Sequence, residues 1–145
     1  MNWMWIKKNQ TLLITILVVV AIIAAGIPLW LYKSQQRSLA NSEAYSKALQ
    51  GLKKDDPASE KATRTALLNI DMGMAQLYAA HLSLKLGEAD QAVKTYEAFL
   101  AKAAPKDSLR PLALMGLKAA YQALKQPEKV KSIETDLQKL GFSEK

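Results

Sequence analysis

The sequence predicts an all-α chain: one N-terminal transmembrane helix followed by a domain of short helices paired as hairpins. Three observations carry this. The 21 residues from Leu12 to Tyr32 hold no charge. Beyond them, apolar residues recur three and four apart, and no stretch alternates with a period of two. Ala, Leu and Lys dominate, aromatics make up 7%, and that composition favours helices.

Residues 1–11 read as a short N-terminal tail and 12–32 as the membrane span. At about 1.5 Å per residue the span covers ~32 Å, which matches a hydrocarbon core. Trp3, Trp5, Lys7 and Lys8 precede it, and Trp30, Tyr32 and Lys33 close it. These residue types settle at the lipid headgroups. Two other readings compete. A cleavable signal peptide would use Ala24, Ala25 and Gly26, but the apolar run continues past them to Leu31. A buried core helix rarely holds so long an unbroken apolar run. No ionisable side chain lies within the span, which argues against an ion path. Gly26 and Pro28 admit a kink. Flanking charge does not set the orientation, because Lys7, Lys8 and the α-amino group before the span are matched by Lys33, Arg37 and Lys47 after it. The layout of tail, span and C-terminal domain is that of a signal anchor with its domain exported.

Residues 33–56 read as a linking helix continuous with the span, with Leu39, Tyr45, Ala48, Leu49 and Leu52 as its stripe. Asp55, Asp56 and Pro57 end it and start the next helix. The two aspartates are read as caps and not as a catalytic carboxylate pair. The domain then occupies residues 57–145. Its first helix runs from Pro57 to about Asn69, with Ala62, Ala66, Leu67 and Ile70 as candidate core. Asp71 is expected to cap a helix ending at Leu86 before Gly87. That helix is apolar on most sides and is expected at the domain's centre. Glu88 to Ala103 is a further helix, with Ala92, Val93, Tyr96, Phe99 and Leu100 inward. Asp107 or Ser108 is expected to cap the next, through Leu124, with Leu114, Leu117, Ala120 and Tyr121 inward. Gln126 and Pro127 open the last, where Val130, Ile133, Leu137 and Leu140 are spaced for a core before Gly141.

Several function classes find no support. Without cysteine there is neither a disulfide framework nor a zinc-thiolate site. The net charge is +7, and Lys7, Lys8 and Lys33 supply three of those charges. Elsewhere basic residues are scattered, with Lys53–Lys54 the longest run, so they read as a solvated surface and not a nucleic-acid stripe. His81 is the only histidine and has no acidic cluster near it in sequence, so it is read as a partly buried polar residue and not a metal ligand. There is no phosphate loop, nucleophile elbow or redox pair. The reading is therefore not an enzyme, with no metal, no cofactor and no small-molecule substrate.

The last four helices form two units. Gly87 supplies a turn glycine, Ala92 and Tyr96 an A-x3-aromatic step, and Pro105 follows. In the second unit Leu117 and Tyr121 stand at L-x3-Y, followed by Val130 and Leu137. This resembles the tetratricopeptide repeat. Ala92 to Val130 and Phe99 to Leu137 are both 38 residues apart, against about 34 in the standard repeat. The excess fits a longer turn around Pro105–Arg110. Ser83 and Glu134 stand where aromatics are usual, and Val130 replaces a small Ala.

With its anchor and the linking helix carrying Tyr45, the whole is similar to bacterial single-pass inner-membrane tetratricopeptide proteins of the YfgM-like family, which are ancillary to the protein translocon. The resemblance implies a protein–protein interaction module whose partners are membrane-complex subunits or exported clients, with the domain in the periplasm. It also implies a concave groove lined by the first helix of each unit. The residues at those positions are Met74, Leu77, His81 and Lys85, then Leu112, Met115, Ala119 and Gln122. An apolar groove with methionines suits a hydrophobic segment of a partner. The helix from Pro57 is a competing occupant, because a short array needs its end covered.

Overall fold

The computed structural model describes residues 10–142, apart from the side chains of residues 10–14 and 17. Of the residues expected at the membrane boundary, Trp3, Trp5, Lys7 and Lys8 lie outside that range. Six helices and no strand occur among the described residues: α1 Gln10–Gln50, α2 Pro57–Leu68, α3 Gly73–Lys85, α4 Ala89–Lys102, α5 Arg110–Ala123 and α6 Pro127–Lys139. By its contacts the chain divides after Ala40 into two compact units.

In the first unit α1 runs unbroken through Pro28. It is long and apolar enough to cross a membrane, and none of that stretch is buried. Ile22 is 66% exposed and Leu29 73%. The core-helix reading is therefore wrong for this segment. Trp30 and Tyr32 are exposed as well, and the Tyr32 hydroxyl accepts a 2.8 Å hydrogen bond from Gln36 Nε2.

In the second unit the helix boundaries follow from local chemistry. Asp56 Oδ1 accepts from the Ala58 amide at 3.1 Å and caps α2, with Pro57 at its first turn. Helices α3, α5 and α6 end alike. The amide three residues past each helix end returns to a carbonyl in the last turn: Glu88 to Ser83, Gln126 to Tyr121 and Phe142 to Leu137. A residue with positive φ makes each return, at Gly87, Lys125 and Gly141. Asp71 does not cap α3. That helix starts at Gly73 with no side-chain cap, and the Asp71 carbonyl accepts from Asn41 Nδ2 at 2.8 Å. Asp107 Oδ1 accepts from the Leu109 amide at 2.8 Å, within the turn before α5.

Helix α3 is the centre of the domain, as its all-round apolarity predicts. Ala75, Ala79 and Leu82 join Leu67 and Ile70 of the α2 segment in one cluster, flanked by Tyr45, Ala48 and Leu52. Leu77 and Ala80 join a second cluster with Tyr96, Phe99, Leu114, Leu117, Tyr121, Ile133 and Leu137. Ala75, Ala79 and Ala80 are fully buried, so neighbouring helices approach closely on both sides. Burying Leu67 completely contributes about 2–3 kcal/mol. Helices α4 and α6 begin 38 residues apart, at Ala89 and Pro127. That is the repeat interval read from the sequence.

Helix α2 corrects the expected core. Ala62 and Ala66 are exposed, whereas Glu60, Thr63 and Arg64 are buried. Each buried polar group has a partner that offsets its lost hydration. Glu60 pairs with Lys85, Arg64 with Glu88 and Ser83, and Thr63 donates to the Ala48 carbonyl at 3.4 Å. Polar residues therefore face the core here, which a hydrophobic stripe alone does not reveal. Leu39 and Leu140, also expected in stripes, are exposed.

Candidate binding groove

Five of the eight expected groove residues meet at one hollow of about 350 Å3. Met74, Leu77 and His81 of α3 form one wall, with Leu112 and Met115 of α5 opposite. Leu77 is 3% exposed and belongs to the core as well as the wall, whereas Leu112 and Met115 are 48% and 50% exposed. His81 is exposed, not partly buried, and stands 6.2 Å from Tyr78, centre to centre.

The other three do not line this hollow. Lys85 turns to α2, where Glu60 holds it and Asp55 Oδ1 lies at 3.9 Å. The Glu60 hydrogen bond raises the Lys85 pKa against the opposing effect of burial. Gln122 belongs to a different hollow, with Pro127, Val130 and Lys131. Ala119 is exposed on α5.

Three residues complete the hollow that sequence reasoning missed: Tyr78, Tyr96 and Gly116. Tyr96 comes from α4, the second helix of its unit, and reaches the hollow beneath Gly116. A Cβ at Gly116 would stand 2.2 Å from Tyr96 Cζ, so only glycine admits the ring. Burial raises the pKa of this phenol. A glycine in mid-helix costs about 1 kcal/mol against alanine. That cost was the signal available in the sequence that Gly116 has a packing reason.

The α2 helix does not occupy the hollow. It packs on the side of α3 that bears Ala75, Ala79 and Leu82, and these positions lie away from Met74, Leu77 and His81 on a helix of 3.6 residues per turn. The lining contains no Lys, Arg, Asp or Glu. Among the described residues, no three histidine or acidic side chains stand where they could hold a metal ion. The arrangement offers a largely apolar surface with two thioethers.

A family model described as a tetratricopeptide repeat-like domain matches residues 4–139. Neither the curated proteins nor the solved structures return a match.

Proposed function

Since this chain belongs to the tetratricopeptide repeat-like domain family, we propose that it is a membrane-anchored interaction module, an accessory or scaffold subunit of a membrane protein complex. In this reading α1 crosses a bacterial inner membrane, with Trp30, Tyr32 and Lys33 at one boundary and Trp3, Trp5, Lys7 and Lys8 at the other. The domain stands on the periplasmic side. The observation that carries the reading is the uncharged hollow between α3 and α5, where Leu112 and Met115 are half exposed. Apolar side chains left in water at a concave site are what a protein partner covers. Met74, Leu77, His81, Leu112 and Met115 are its contact residues, and the partners are other subunits of the complex.

A second reading has its own support. Met74 and Met115 both line the hollow, and thioether side chains adapt to varied apolar shapes. That favours a chaperone-like or assembly factor holding exported proteins near the translocon.

Affinity purification of the whole chain in mild detergent, followed by mass spectrometry, separates the two. A fixed set of membrane partners at near-integer ratios, lost in Met115→Lys, supports the subunit. A broad, substoichiometric set of exported proteins overturns it in favour of the second reading. Partners retained in full by Met115→Lys would remove the hollow from either account.

A further inference from the structure

Where the apolar stretch of α1 ends, one face of the helix carries two cations that no carboxylate neutralises. Trp30, Lys33, Ser34 and Arg37 line a hollow of about 290 Å3. Their spacing puts them in a single stripe, which rises about 10 Å from Trp30 to Arg37. All four residues are exposed. Among the described residues neither Lys33 nor Arg37 forms an ion pair, and the first acidic residue of the sequence is Glu43. Basic residues of the domain behave differently, since Arg64, Lys85 and Lys118 each hold a carboxylate. The polar groups on the other side of α1 at this level, Tyr32 and Gln36, already pair with each other.

A guanidinium and an ammonium four residues apart, with a hydroxyl beside them, match the oxygens of a phosphate. Below the hollow the same face is apolar through Ile27, Gly26 and Ile23. Both isoleucines are exposed, and a Cβ at Gly26 would meet nothing within 4 Å. Free phosphate would use only the cations, whereas a ligand with phosphate at one end and hydrocarbon at the other uses the whole face. A zwitterionic headgroup brings its own ammonium, which meets Lys33 and Arg37 as a like charge. Resting on the reading that α1 crosses a membrane with Trp30 at one boundary, we infer that Trp30, Lys33, Ser34 and Arg37 form a site for one anionic phospholipid. Lys33, Ser34 and Arg37 hold its phosphate, and the Trp30 indole packs at the level of its glycerol.

The test uses the whole chain in nanodiscs of phosphatidylglycerol and phosphatidylcholine in equal amounts, with native mass spectrometry of the lipids it retains. Retained phosphatidylglycerol is expected to exceed retained phosphatidylcholine. The variant that matters joins Gln35→Arg to Arg37→Gln, both at exposed positions. It keeps the composition and the net charge but moves one cation about 160° around the helix. The preference should then fall about 5-fold, the share of one basic residue at an anionic surface. Equal retention of the two lipids by the wild type, or an unchanged preference in the double variant, overturns the site and leaves the anchor standing. A chain that does not enter nanodiscs overturns the membrane reading itself. With ammonium phosphate in excess the lipid should stay bound, and a phosphate adduct in its place overturns the lipid as occupant.

Discussion

Gly116 on α5 has no side chain because the Tyr96 ring, from α4, fills the place where one would stand. A Cβ there would lie 2.2 Å from Tyr96 Cζ and 2.5 Å from Cε1. Alanine would gain about 1 kcal/mol of helix propensity, but overpacking costs about 1–3 kcal/mol. Gly116→Ala is therefore expected to lower stability by about 1 kcal/mol in urea denaturation, on the same two magnitudes. Adding Tyr96→Ala should reverse the sign of the Gly116→Ala effect, since the collision is then gone. Stability gained by Gly116→Ala alone would show that the ring moves aside at no cost.

The end of α5 carries strain that those of α3 and α6 avoid. Lys125 has φ 56° where the other two helices place Gly87 and Gly141. A side chain in the left-handed region costs roughly 1 kcal/mol or more. Lys125→Gly should raise stability by about 1 kcal/mol less the extra freedom of the unfolded chain, and so by a few tenths at least. A fall in the denaturation midpoint would mean that Lys125 makes contacts that outweigh the strain.

Arg64 and Glu88 link α2 to the start of α4, and the arginine also reaches Ser83 Oγ at 3.5 Å. The Arg64 side chain is 11% exposed and that of Glu88 42%, so solvent screens only one partner. A double-mutant cycle with Arg64→Met and Glu88→Gln is expected to give a coupling of about 1 kcal/mol, between surface and buried pairs. Additive effects would place the pair with surface ion pairs of no net value.

Alkaline pH should unfold the domain. Burial and then the Glu97 hydrogen bond push the Tyr121 pKa up to about 12. The Glu60 hydrogen bond raises that of Lys85 above 10.5. Both groups hold their protons more tightly folded than unfolded, so their contribution is complete below the unfolded values and is lost as pH rises through the folded ones. Stability should be level from neutral pH to about 10 and then fall towards 12. In Tyr121→Phe the decline should be shallower, and the tyrosinate absorbance step near pH 12 should disappear. An unchanged slope in that variant would reject Tyr121 as a source.

Most helices were legible because their signals are local. Proline at Pro57 and Pro127, the Asp56 cap and the turns at Gly87 and Gly141 act within a few residues. A stripe such as Val93, Tyr96 and Phe99 needs only a 3.6-residue period. The reading failed where a polar residue was drawn inward by a distant partner. Lys85 was expected in the groove, but Glu60, 25 residues earlier, binds it on the other side of α3. Ala62 and Ala66 were expected inside, but the Arg64–Glu88 and Glu60–Lys85 pairs turn α2 the other way.

The sequence by itself determined that the domain is helical, that its units repeat at 38 residues and that α1 carries an uncharged apolar run from residue 12 to 32, because these depend on composition, periodicity and cap chemistry within a few turns. Only the tertiary structure decided which face stays open. Tyr96 lies 20 residues from Gly116, and nothing local brings the ring beneath that glycine. The hollow exists because α3 and α5 stand side by side on α4 while α2 covers the opposite flank of α3. That arrangement comes from burying alanine-lined faces between helices, and its geometry is set by long-range packing.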